Sequence, residues 1–103
     1  MSTHVHHDGP VSTIAPNGRF TFDSHQAFRD AYVPLLTRPE TKIIRLDMKA
    51  VSYIDSSTLG MLLLVRERAE PAGKKIEITG ANELVMKLLK IANFHKMFNV
   101  QGA

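Results

Sequence analysis

Between Lys42 and Ile91 the hydrophobic period of the chain changes repeatedly, and this alternation limits the possible folds more than any other feature. Lys42 to Met48 is rich in Ile and Leu, the pattern of a central strand with much of both faces buried. Val51, Tyr53 and Ile54 continue an apolar alternation as far as Asp55. From Ser57 to about Glu70 the period becomes helical, and Pro71-Ala72-Gly73 ends it. Lys75 to Thr79 alternates again as a strand, Asn82 is a cap, and Leu84, Leu88 and Ile91 give the next helix an inward stripe. Phe98 to Val100 supplies a short last strand. Strands separated by helices need crossover connections, which lay the helices against a sheet. The expected class is α/β: a single domain with a mixed β-sheet and helices packed against it.

The first third is less regular. Residues 1–10 read as a flexible leader and residues 11–103 as the domain. The leader's only notable content is His4, His6 and His7 beside Asp8, a set with metal-binding chemistry but no scaffold to fix it, so no metal site is expected. Val11 to Ala15 and Arg19 to Phe22 are expected to form a hairpin, with Pro16-Asn17-Gly18 as its turn. Asp23 or Ser24 then caps a helix carrying Phe28, Ala31, Tyr32 and Leu35, which Pro34 is expected to end or kink near Val33.

A chain of 103 residues holds one hydrophobic core. It has no cysteine, so disulfides, thiol nucleophiles and thiolate metal sites are excluded, in keeping with a reducing cytoplasm. No apolar run approaches the ~20 residues needed to cross a bilayer, so no membrane partner is expected. The net charge of +3 comes from scattered Lys and Arg without a basic stripe, which argues against nucleic acid and fits an acidic protein surface. No glycine-rich phosphate loop is present, and no cofactor is expected.

The chemistry concentrates where a strand stops at Asp55-Ser56-Ser57-Thr58 and passes directly into an apolar helix. Open α/β folds place ligand sites at such strand ends. The first amides of a helix lack internal partners, and its dipole favours negative charge there. Asp, Ser and Thr are also ordinary N-cap residues, and on these residues alone plain capping is the favoured reading. Two hydroxyls exceed what one cap needs, and Gly60 in the first turn would let another backbone approach. On a helical projection Thr58, Leu62, Val65 and Ala69 share the inward side. Met61, Leu64 and Arg68 fall outside it; unless the helix carrying Leu84 covers them, they form a docking strip, one that would also permit weak homodimerisation.

Three stretches resemble the STAS domain family, the anti-sigma-factor antagonists. IIRLDMKAVSYIDSSTLGMLLLVRERA is similar to the family core, a strand ending in Asp-Ser-Ser/Thr-Gly-Leu-Gly. KKIEITGANELVMKLLKIANFHKMF resembles the strand, helix and terminal strand that follow, and GRFTFDSH the second strand and the approach to the first helix. Together they span about residues 11–100. The resemblance implies a bacterial, cytoplasmic phosphoprotein that acts by partner switching in transcription regulation. Unphosphorylated at Ser56, it would sequester an anti-sigma factor, often itself a serine kinase; phosphorylated, it would release it, and a serine phosphatase would reset it. Asp55 would orient the hydroxyl, while Ser57, Thr58 and Gly60 shape the helix start. Where the family pattern has its first glycine this chain has Thr58, which adds bulk and a second hydroxyl where a kinase approaches.

The antagonist is a substrate in those reactions, so no enzymatic activity is expected. Two alternatives share the residues: a constitutive STAS scaffold in a signalling complex with Ser56 unmodified, and a hydrolase or small-molecule binder using Asp55, Ser56 and a histidine. His25 and His95 are the histidines outside the leader, and nothing in the spacing brings either to Ser56.

Overall fold

The alternating periods resolve into strands and helices in the computed structural model, which describes residues 3–102. In chain order the elements are β1 (Thr3–Asp8), β2 (Val11–Pro16), β3 (Gly18–Phe20), α1 (His25–Leu36), β4 (Ile43–Asp47), β5 (Val51–Ile54), α2 (Ser56–Ala69), β6 (Lys75–Ala81), α3 (Glu83–Ile91) and β7 (Asn99–Gly102). The main sheet runs β1-β2-β4-β6-β7. β1 is antiparallel to β2, and every other pair in it is parallel, so the sheet is mixed. β3 and β5 form a separate parallel pair.

Burial alternates along the central strands. Ile14, Ile44, Leu46 and Ile78 are fully buried, while Thr13, Arg45 and Glu77 form a half-buried row on the opposite face. Only one face of β4 is therefore sealed, in contrast to the two expected from its run of Ile and Leu. Arg45 pairs with Glu77 across that open face. The core behind the sealed face joins Phe20, Phe28 and Tyr32 to Leu62, Val65, Val85 and Leu89. Burying each such side chain contributes ~1.5–3 kcal/mol.

Four local expectations are corrected. Residues 3–8 are an edge strand and not a leader: Gly9, at φ +59, turns the chain back so that β1 pairs with β2 from Thr3–Pro16 to Asp8–Val11. The hairpin is thus β1–β2. The Asn17-Gly18 bend, with Gly18 at φ +84, instead carries the chain from one sheet into the other, and the Gly18 amide bonds the Ala50 carbonyl. α1 continues through Pro34 to Leu36, because Asp30 and Pro34 lie on its exposed side, where the carbonyl that Pro34 leaves without a donor faces solvent, and Tyr32 and Leu35 are buried. Finally, α3 turns Val85 and Leu89 inward while Leu84 and Ile91 are exposed. Asn82 sets that rotation: its side chain accepts from the Val85 amide at 2.8 Å and donates to the Val51 carbonyl at 3.1 Å.

Candidate functional site: the start of α2

β5 delivers Ile54 into the core, and the chain leaves the strand at Asp55, which has extended backbone and caps α2. Asp55 Oδ1 accepts the Thr58 amide at 2.9 Å and the Ser57 hydroxyl at 2.7 Å. Its Oδ2 accepts the Phe22 amide at 3.1 Å, tying the helix start to the 3-10 turn Phe22–Ser24 that precedes α1. Partial burial acts to raise the carboxyl's pKa, but bonds from Ser57, from Thr58 and from the Phe22 amide outweigh it. They hold the group at about 2, against an ordinary 3.8. Asp55 is therefore an ionised clamp between two elements, and none of these bonds uses Ser56.

Thr58 is completely buried. Its hydroxyl donates to the Phe20 carbonyl at the end of β3 at 2.7 Å. The same oxygen lies 3.0 Å from Asp55 Oδ1 and 3.4 Å from His25 Nε2. The Phe20 carbonyl and the Asp55 carboxylate are both acceptors for the one hydroxyl proton of Thr58, so His25 meets the oxygen as donor. The expectation that Thr58 adds bulk at a kinase's point of approach is corrected: the side chain faces the interior.

Ser56 and Gly60 are exposed, as are Leu64 and Arg68. They stand at successive intervals of four, which on an α-helix makes one outward row. Rising 1.5 Å per residue, the row places Leu64 about 12 Å and Arg68 about 18 Å along the axis from Ser56. Met61 does not belong to it. It is only 6% exposed and packs in the core, because it stands about 40° from Val65 around the helix, at the margin of the buried stripe. Among the described residues, its chain neighbours and own helix backbone aside, nothing lies within 4 Å of where a Gly60 Cβ would be, so no approach of another element's backbone requires that glycine.

Phe22 was not anticipated. A strand reaching Phe22 would put it on the same side as buried Phe20; the chain instead turns at Thr21, where Ser24 Oγ accepts the Thr21 amide and donates to the Arg19 carbonyl. The Phe22 ring is 70% exposed and leans on His25 with centroids 5.4 Å apart. The signal available in the sequence was Asp23-Ser24, a cap that ends the strand two residues early. His25 is thus brought to the junction, though to Thr58 and not to Ser56, while His95 is exposed in the 3-10 turn Phe94–Lys96 after α3.

A strand ending in a capping Asp, an outward Ser at the first helical position and crossovers on one face of a mixed sheet together define a small α/β domain class. The family model described as "Mlab, STAS domain" matches residues 3–100. A STAS-domain containing protein of Pseudomonas aeruginosa (strain UCBPP-PA14) is 40% identical over 93 residues, covering 90% of each chain. The chain belongs to the STAS domain family. Its fold matches an anti-sigma factor antagonist from Mycobacterium paratuberculosis with TM-score 0.86 at 16% identity, over 99% of this chain and 86% of that one. It also matches the Bacillus cell fate determinant SpoIIAA in its phosphorylated form, with TM-score 0.74 at 12% identity, over 96% and 90%. Among the described residues no helix is long and apolar enough to cross a membrane.

Proposed function

We propose that this chain is an anti-sigma-factor antagonist whose binding is switched by phosphorylation of Ser56. The observation that carries the reading is the contrast at the helix start, where Asp55, Ser57 and Thr58 are bonded into the structure and Ser56 alone stands exposed, at the head of the Gly60–Leu64 row. In the proposed step the Ser56 hydroxyl oxygen attacks the γ-phosphorus of ATP. The bond to the ADP oxygen breaks, ADP leaves, and the serine proton passes to a base of the kinase. The kinase is the anti-sigma factor itself or a partner of it, and a serine phosphatase restores the hydroxyl in the bacterial cytoplasm.

Electrostatics support a local switch without rearrangement. Asp55 already occupies the Thr58 amide, so a phosphate on Ser56 gains little neutralisation from this helix end. Its charge of about −1.5 to −2 is presented outward, where a docked partner must desolvate or pair it, at a cost of several kcal/mol. The fold likeness to SpoIIAA, described in phosphorylated form, and to antagonists of anti-sigma factors supports the same reading.

Incubation with ATP and the cognate kinase, followed by intact mass, tests the modification. A single phosphate on the native chain and none on Ser56→Ala is expected. In calorimetry Ser56→Ala should bind the partner as the unmodified chain does, and Ser56→Asp at least ~10-fold more weakly, equivalent to 1.4 kcal/mol. Equal affinities across all three proteins would leave the constitutive scaffold as the better reading.

A further inference from the structure

The three histidines near the start of the chain separate once β1 is in place. His7 turns toward the sealed side of the sheet, where its Nδ1 meets Ser12 Oγ at 2.8 Å, and Ser12 Oγ meets Thr41 Oγ1 at 2.7 Å. His4 and His6 lie on the opposite face and are exposed, across from Ala15 and Thr13 on β2. Two residues apart on a strand, their Cβ atoms are separated by about 7 Å. That suits two ligands of one transition-metal ion, but two imidazoles do not complete a tetrahedral site. Among the described residues no group of three or more metal-ligating side chains exists.

The edge itself offers the missing half. β1 is the outermost strand of the sheet, six residues long and paired with β2 without a register shift. It has no Pro, no Lys and no bulge, the devices that usually blunt an edge. The opposite edge, β7, has four residues and a register shift against β6. An antiparallel pairing of two β1 strands about Val5 sets each Val5 opposite the other, covering a side chain that is 43% exposed. The same register sets His4 opposite the partner copy's second histidine, and His6 opposite its first. Directly opposed Cβ atoms then lie about 4.5–5.5 Å apart, which draws four imidazoles into one cluster. Zinc is bound by imidazole nitrogens at about 2.0–2.1 Å in tetrahedral geometry, and nitrogen ligands of this class suit it.

We propose that His4 and His6 form half of a zinc site that a second copy of this chain completes by edge-to-edge pairing of β1. Zinc thereby converts the monomer into a dimer with one continuous sheet. The inference is independent of the reading of Ser56, because β1 is the far edge of the sheet and carries none of the groups at the start of α2.

The test uses the untagged chain, with sedimentation equilibrium in EDTA and in zinc chloride, and calorimetric zinc titration. Zinc is expected to double the mass, with one ion bound per two chains. His4→Ala and His6→Ala should each abolish the zinc-dependent mass increase with the circular dichroism unchanged, and His7→Ala should retain it. Val5→Lys, which opposes two like charges at the two-fold axis, should weaken the dimer. One zinc per chain with no change in mass overturns the proposal. So does a zinc-driven dimer that survives His4→Ala and His6→Ala.

Discussion

Replacing Asp55 by asparagine isolates what the carboxylate charge contributes to the α2 junction. Asn keeps a carbonyl oxygen for the Thr58 amide, so the cap itself survives. Its NH2 group, however, takes the place of Oδ2 and faces the Phe22 N–H, donor against donor. The fall in the carboxyl's pKa from 3.8 to about 2 corresponds to ~2.4 kcal/mol at about 1.36 kcal/mol per decade. Asp55 keeps part of its surface in water, so screening reduces the contribution to about 1–2 kcal/mol.

The sign follows from the direction of the shift. Because folding depresses this pKa, the stabilisation is fully present above the unfolded value of 3.8 and is lost as pH falls through about 2. Urea unfolding followed by circular dichroism should find Asp55→Asn less stable than the native chain by about 1–2 kcal/mol at pH 7. Other carboxylates titrate in the same acid range, so the informative quantity is the difference between the two proteins. That difference should shrink between about pH 4 and about pH 2, the native chain falling more steeply. Parallel curves across this window would show that the charge contributes nothing and that Asp55 acts as a neutral cap.

Gly60→Ala should raise stability by ~0.5–1 kcal/mol, since the methyl meets open space and the helix gains propensity. The same substitution should weaken partner binding if the notch between Ser56 and Leu64 admits the partner's backbone, which calorimetry on the folded variant measures. Met61→Ala should cost ~2–4 kcal/mol in urea unfolding, as expected for a buried side chain. Leu64→Glu should change stability by less than ~1 kcal/mol and yet lower partner affinity, because Leu64 is outward.

What could be read from the residues divides by physical cause. The cap at Asn82, the strand Lys75 to Thr79 and the Asp55 junction were legible because each depends on neighbours in sequence. The inward face of α3 was not. Leu84–Leu88–Ile91 and Val85–Leu89 are both valid helical stripes, and the choice between them is made by the Asn82 bond to Val51, 31 residues away. The burial of Met61 is of another kind, because a projection of α2 already sets it about 40° from Val65, at the margin of the inward stripe. Asn17-Gly18 announced a change of direction but not which strands it joins. β1 was invisible because THVHHD has no apolar alternation, and its pairing is decided by the turn at Gly9 and the open edge of β2.

Ser56, Ser57 and Thr58 show how one kind of functional group acquires three fates from helical phase. Successive positions turn by about 100°, so three adjacent hydroxyls at a helix start cannot share an environment. The third points into the core and ties α2 to Phe20, the second closes on the capping carboxylate, and the first is left to solvent. Threonine at 58, where the resembled motif has glycine, therefore reinforces the junction from within and offers no rival acceptor, since modifying it would require α2 to leave β3. Under the proposed switch this division serves a purpose. The bonds that hold the helix start are made by residues that stay unmodified, so charge can be added to and removed from Ser56 without loosening the fold that presents it.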